Sequence, residues 1–551
     1  MMNFLVKDMK KLLLTIFLSI VATTLFAQSD DFLENGTVTF RRHNCQEHLR
    51  SKLDSRAVSD STYRLTPHVG NPRVLVILAE FSDKTFSVNQ PRKAFHQFFN
   101  HPTTPDNLYT EGVDAVNYHN NLNYSSVATY FSDQSNGQFT PQFDIYGPVK
   151  LPHNCQYYGG NNKDNNNDER PDDMTEHALN LLADSIDDIS IYDSNNDGFI
   201  DCVFIVYAGF SQNQGGAANT VWACNFNIGS MTITDKHEQS RKASLAACSG
   251  ELVKISSNGT EYTVISGIGV PCHEFSHALG LPDIYPTSSP ADKTDNQEME
   301  YWDLMDGGEY VRNGFCPAPY TAWEKWQMGW DNSIIQTLTE ANAYTMSPYT
   351  QPGAVAYKIE NPGNSNEYIL LEYVAHEGWA KYMPAEGLLA YHVVDNGDIY
   401  RSSRYNDIAG KPRMAIIPAD SICANYYNVE KEEYKASLTH DLFPNNGYIT
   451  ALNDTLSLPN FYWYTDPGTG AKSKTNNNYY NVNQAIKDIT LNEGVLSFTY
   501  IPDFATGIKG VKVRESQIDN RIYTLDGRYV GRDESKLPKG IYIRRGQLIA
   551  L

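Results

Sequence analysis

The chain has 551 residues, 41% apolar and 12% aromatic, enough to bury more than one sizeable core. Its formal net charge of -21 argues against nucleic acid as a partner, because phosphate binding needs a basic surface, and suits calcium, whose sites are built from carboxylates and carbonyls. Eight cysteines (Cys45, Cys155, Cys202, Cys224, Cys248, Cys272, Cys316 and Cys423) include no CxxC pair, so a zinc ribbon is a poor reading; their spacing selects no disulfide pattern.

Residues 1–27 place Lys7, Lys10 and Lys11 before an apolar run from Leu12 to Phe26 that ends at Ala27. This predicts a signal peptide, since a membrane span takes roughly 20 apolar residues. An exported protein without stable membrane insertion is expected. Residues 28–70 are polar and patchily basic, a short leader or pro-segment. Cys45 within it offers a thiolate that would ligate zinc in a latent zymogen, although an ordinary cysteine is the simpler reading.

"RVLVILAEFSD" (73–83) predicts a buried strand that opens a catalytic domain over 71–330. "PRKAFHQFF" and "SVATYFSDQS" predict helices, and 172–187 predicts an amphipathic helix with Met174, Ala178, Leu181 and Leu182 on its apolar face. "CVFIVYAGF" predicts a second buried strand. Helices alternating with apolar strands predict an α/β unit.

Before that strand lies "DSNNDGFID" (193–201). Asp193, Asn195, Asp197, Phe199 and Asp201 fall at the odd positions of a calcium loop, with Gly198 at the sharp turn. Position twelve is Phe204 instead of a bidentate Glu, so an isolated calcium loop at a strand entry is expected, against a plain Asn/Asp-rich turn.

"CHEFSHALGLPD" (272–283) carries the most chemistry. His273 and His277 lie four residues apart, on one face of a helix, and so can aim both imidazoles at one zinc ion. Glu274 is turned to the side, suited to holding a water and taking its proton. HExxH alone arises by accident often enough to need context. Gly280 supplies some, since it can adopt positive φ and turn the chain back, which brings Asp283 round as a third ligand. Pro271 suits the start of the helix. In "YWDLMDGGEY" (301–310), Met305 lies in a Gly- and Asp-rich turn and is expected to form an apolar floor under the ion. Tyr310 is a weak candidate donor to an oxyanion.

Residues 331–503 change to short alternating runs separated by Gly, Pro and Asn, which predicts a β-rich, sandwich-like domain. From Gly507 the chain carries ten Lys and Arg against five Asp and Glu, so 507–551 is +5 while the remainder is -26. This small β tail, with hairpin turns at Asp526-Gly527 and Arg545-Gly546, reads as a handle outside any active site.

These motifs together resemble the metzincin metallopeptidases, and within them the secreted immune inhibitor A-type family of bacteria. The resemblance rests on "HEFSHALGLPDIY", "YDSNNDGFIDCVFIVYAG" followed by "VWAC", "EYWDLMDGGEY" with "APYTAWEKWQMGW", and "EYILLEYVAHEGWAKYMPAEGLLAYHV", over roughly 70–400. It implies a zinc endopeptidase with bound calcium, made with a pro-segment and acting on proteins or peptides. In two respects the chain departs from the pattern: the usual third ligand is His where Asp283 stands, and the pro-segment is short. The tail is similar to sorting tails of the type IX secretion route, which would make export machinery a partner. The reading from another class is a calcium-stabilised exported binding or adhesion protein with a structural or vestigial zinc site; a zinc hydrolase acting on glycans is a third.

Overall fold

The computed structural model describes residues 37–38, 65–88, 90–101, 122–161, 168–257, 260–287, 298–395, 405–408, 410–423, 431–444, 449–472 and 479–504, and short pieces between 522 and 550. The signal peptide, most of the leader with Cys45, and the turns 526–527 and 545–546 lie outside the described residues. Two compact units divide at 504/505, close to the charge boundary read at 507.

In the first unit, an eight-stranded mixed sheet is built from β1 (Thr37–Val38), β2 (Arg73–Glu80), β3 (Gln142–Lys150), β4 (Phe199–Ile200), β5 (Val203–Phe210), β6 (Cys224–Thr234), β7 (Ser240–Ser257) and β8 (Thr260–Ile265). Its order is β1-β7-β5-β2-β3, with β4, β6 and β8 also pairing to β7. The pairs β2–β3, β2–β5 and β5–β7 are parallel, while β6 and β8 run antiparallel to β7. Strands buried on both faces explain the unbroken apolar text of β2 and β5. Val74, Val76 and Leu78 enter one core and Leu75, Ile77 and Ala79 the other.

Helices α1 (Pro91–Asn100), α2 (Val127–Gln134) and α4 (Pro171–Leu182) fall on the three predicted helical stretches, and a short α3 (Cys155–Gly159) was not expected. In α4 the expected inward Leu181 is instead 49% exposed, and Leu179 is buried. A 3.6-residue period that places Met174, Ala178 and Leu182 inward takes Leu179 with them and turns Leu181 outward.

α5 (Gly269–Ala278) carries the HExxH text, and all ten of its residues are buried. It is therefore not an amphipathic surface helix. Phe275 anchors it to α2 and the sheet, with ring centroids 5.2 Å from Phe131 on α2 and 5.4 Å from Phe143 on β3. α6 (Ala322–Gln327) is opened by a capping box between Thr321 and Glu324.

The β-rich region holds a five-stranded sheet, β14-β13-β12-β11-β9, and a three-stranded one, β10-β16-β15. Its strands are β9 (Ile335–Thr337), β10 (Asn342–Met346), β11 (Ala356–Asn361), β12 (Asn364–Val374), β13 (Gly387–Val394), β14 (Met414–Ile416), β15 (Ala485–Asn492) and β16 (Val495–Ile501). Ile369, Leu371 and Leu388 of the first sheet share a core with Met346, Ile486 and Phe498 of the second, a sandwich arrangement. The boundary read at 330/331 does not divide the interior. Tyr368, Leu370 and Tyr391 lie in the same core as Phe275 and Met305. In the small second unit, four strands pair as β18-β17-β19-β20: β17 (Ile522–Tyr523), β18 (Tyr529–Gly531), β19 (Ile541–Arg544) and β20 (Gln547–Ala550).

Candidate metal centre

Gly269 at the start of α5 lies against the main chain of a 3-10 segment, Gly307–Gly314; a Cβ there would sit 1.9 Å from the Glu309 carbonyl oxygen. The Asn123 side chain accepts the Ile268 N–H at 3.0 Å, and Pro271 occupies the third helical position, where no intrahelical N–H is needed. At the far end Gly280 has φ of 102° and turns the chain back.

That turn brings Asp283 to the two histidines. His273 Nε2 and His277 Nε2 are 3.1 Å apart, and Asp283 Oδ1 is 3.3 Å from each. The other ring nitrogens are engaged by carbonyl oxygens: His273 Nδ1 with Leu304 at 2.9 Å and His277 Nδ1 with Leu281 at 2.7 Å. Protons on both Nδ1 atoms leave the Nε2 lone pairs facing one point. Asp283 Oδ1 is buried beside these two Nε2 atoms, and with the ring protons on Nδ1 it accepts no hydrogen bond from them, an expensive state for a carboxylate oxygen unless a cation joins it.

A tetrahedral zinc ion with ligand bonds of 2.0–2.1 Å separates its ligand atoms by about 3.3 Å. The three atoms form a triangle of that size. His273, Glu274 and His277 also offer ligand atoms that all lie within 4.8 Å of one another. The residues present therefore fit the ion.

The charge around this triangle is lopsided. Burial acts to lower the His273 pKa, but the carboxylates of Glu309, Asp283 and Glu274 outweigh it and hold the imidazole well above its ordinary value. Burial acts to raise Asp283, and the two imidazoles override it, leaving the carboxyl below the ordinary carboxylate range. Glu274 is pushed up to about 7 by burial, against the pull of both histidines. Three buried acids around two imidazoles is a field that a dication balances.

The Met305 turn supports the ligands through its main chain. Leu304 holds His273, and the Met305 carbonyl accepts the Ile284 N–H at 2.9 Å, beside Asp283. Asp303 Oδ1 in turn accepts the Met305 N–H at 2.7 Å. The Met305 side chain is fully buried in the core that also holds Val270, Phe275 and Ile284. Tyr310 is buried, and its hydroxyl interacts with Glu309 and Asn213.

Several contributors escaped the sequence reading. Glu309 Oε2 lies 3.8 Å from His273 Nδ1. Asn225 on β6 donates to the Glu274 carbonyl at 3.3 Å. Thr66 N–H donates to the Ala278 carbonyl at 2.9 Å and His68 Nε2 meets that of Leu279 at 2.6 Å, so residues assigned to the leader clip the end of α5. The acidic density of "DLMDGGEY" was the only textual trace of Asp303 and Glu309.

The loop 193–201 stands apart from this centre. Asp193 accepts the Asp197 and Gly198 N–H groups and the Arg241 Nε at 2.8 Å, and Asp197 accepts the Phe199 N–H. Asp201 accepts from Ser194, and burial raises its carboxyl to about 6. Asn195 accepts the Asp197 N–H as well. The five expected residues are thus gathered in one turn whose carboxylates already have partners.

A helix that aims two imidazoles and a returning carboxylate at one point, with a glutamate alongside, places this chain among the metallopeptidases. More narrowly, residues 61–334 match the family profile described as immune inhibitor A peptidase M6, catalytic domain, so the chain carries a domain of that family. It is 23% identical over 408 residues to the pre-pro-metalloprotease PrtV of Vibrio cholerae, covering 69% of this chain and 42% of that protein. It is 26% identical over 304 residues to Immune inhibitor A of Bacillus thuringiensis subsp. alesti, covering 50% of this chain and 42% of that protein. The chain therefore spans less than half the length of these relatives.

Proposed function

We propose that the protein is an exported zinc endopeptidase of metzincin-like fold, in which His273, His277 and Asp283 hold the ion and Glu274 is the general base. The ligand triangle, with edges of 3.1, 3.3 and 3.3 Å, is the observation that carries this reading. When bound, zinc polarises a peptide carbonyl and brings the pKa of water towards ~7. Leu304 and Leu281 keep the imidazoles oriented. Glu274, with a carboxyl near 7, is poised to take the proton of the attacking water and return it to the departing amine.

Apart from the metal reading, the 193–201 turn is assigned calcium as a stabilising ligand, the leader a zymogen role, and the basic tail a role as an export handle. Among the described residues no helix is long and apolar enough to cross a membrane.

Casein hydrolysis by the leader-trimmed protein, measured beside Glu274→Gln and Asp283→Ala with zinc content determined for all three, tests the proposal. Loss of a general base costs about 10²–10⁴ in rate, so Glu274→Gln is expected to be that much slower with zinc retained, and Asp283→Ala to lose zinc. Zinc-loaded protein as inert as its Glu274→Gln variant on casein would point to a binding protein or a glycan hydrolase.

A further inference from the structure

Strands β6 and β7 run antiparallel with Cys224 directly opposite Cys248. Opposed residues in such a ladder leave the sheet on the same face with Cα atoms about 4.5–5.5 Å apart, inside the window of about 4.4–6.8 Å that a disulfide spans. Both side chains lie in the same buried core, and each Sγ is 3.5 Å from one and the same atom, the Trp222 carbonyl oxygen. The two thiols are also within hydrogen-bonding reach of each other. No strand has to slide for the sulfurs to join. Cys202, Cys272 and Cys316 belong to the other core, and Cys155, in the same core, comes from α3.

We propose that Cys224 and Cys248, both thiols in this structure, form a cross-strand disulfide when the chain folds in an oxidising compartment. One thiolate attacks the S–S bond of a disulfide donor, a protein oxidase or oxidised glutathione, and releases one donor thiol. The second cysteine attacks the resulting mixed disulfide and releases the other. Two electrons and two protons pass from the cysteine pair to the donor, and one S–S bond replaces another. Burial sets the timing: it holds the Cys248 thiol well above its ordinary pKa, so exchange belongs to the stage before β6 closes over β7.

The location gives the bond a consequence. Asn225, the neighbour of Cys224, holds the Glu274 carbonyl, so the disulfide would tie the strand that supports the HExxH helix to the centre of the sheet. It would also close the loop through 235–239 in the unfolded chain, which favours folding.

The test is made on the full-length chain produced twice, once directed to a bacterial periplasm and once kept in a reducing cytosol. Each sample is denatured without reductant, alkylated and mapped by mass spectrometry. The expected periplasmic product is a peptide pair joined through Cys224 and Cys248, lighter by two hydrogens than the separate peptides, with both cysteines alkylated in the cytosolic sample. The periplasmic protein should melt higher, a difference abolished in the Cys224→Ser, Cys248→Ser double variant. Full alkylation of both residues in the periplasmic sample, or either residue joined to a different cysteine, overturns the proposal. The mapping reads the parent chain, so it stands even if the double variant fails to fold.

Discussion

Gly269→Ala should disable the metal centre without touching a ligand. The added Cβ would lie 1.9 Å from the Glu309 carbonyl oxygen, where ordinary contact begins at 3.4 Å, a shortfall of 3.4 − 1.9 = 1.5 Å against rigid main chain. If α5 and the 307–314 segment share the strain equally, the helix start moves by about 0.7 Å, several times the ~0.2 Å tolerance of a zinc–ligand bond. His273 lies one turn further along, and its Nδ1 partner Leu304 comes three residues before the 307–314 segment. Overpacking of this kind costs about 1–3 kcal/mol. Loss of ligand support costs about 10–100-fold in metal affinity, and a misplacement near 1 Å about 10²-fold in rate. Zinc affinity by chelator competition, thermal unfolding of the metal-free protein and kcat/KM on casein would each be measured. A variant with parental zinc affinity and activity would refute the close-approach argument.

Phe275→Ala removes the ring that seats α5 on Phe131 and Phe143, and is expected to cost about 3–5 kcal/mol in denaturant unfolding; a loss under 1 kcal/mol would show the helix to be held by its ends. Asp168 accepts the Trp222 N–H at 2.8 Å while its Oδ1 is buried without a partner, and burial raises its carboxyl to about 7. With the folded pKa above the unfolded one, the folded state binds the extra proton, so stability falls as pH rises from about 4 to about 7, by on the order of 4 kcal/mol at most. Asp168→Asn should therefore raise the melting temperature at pH 8 and leave it unchanged near pH 4; an equal shift at both would remove titration as the cause. EGTA is expected to lower the melting temperature through the 193–201 turn, with calcium and not magnesium restoring it, and no shift would leave Arg241 and the backbone donors as the sufficient partners of Asp193.

The juxtaposition of residues in the candidate metal centre was legible because its parts are close in sequence. His273, Glu274, His277, Gly280 and Asp283 span eleven residues, and helix periodicity plus one positive φ fixes their relation. Leu304, Glu309 and Asn225 act on the same atoms across 31 to 49 positions of chain, a relation that no local pattern records. Strands β2 and β5 were legible from continuous apolar text. The all-round burial of α5 has no local signature in sequence, since its polar residues find partners far along the chain; Ser276 bonds the Cys272 carbonyl and the Tyr320 hydroxyl inside the core. The β-rich region showed its strands but not its attachment, since Tyr368 and Tyr391 give no sign in sequence of which core they enter.

The clip at Thr66 and His68 bears on where the proposed leader could be cut. Thr66 is bonded at both ends of its span, to the Ala278 carbonyl and, through its hydroxyl, to that of Asp201, and the His68 carbonyl takes the Trp330 indole N–H at 2.6 Å. A protease cutting after His68 would strip the end of α5 of these partners, one to two residues from the Gly280 turn that leads to Asp283. Were the proposed leader shed, only a cut upstream of Thr66 would leave these bonds to the end of α5 in place.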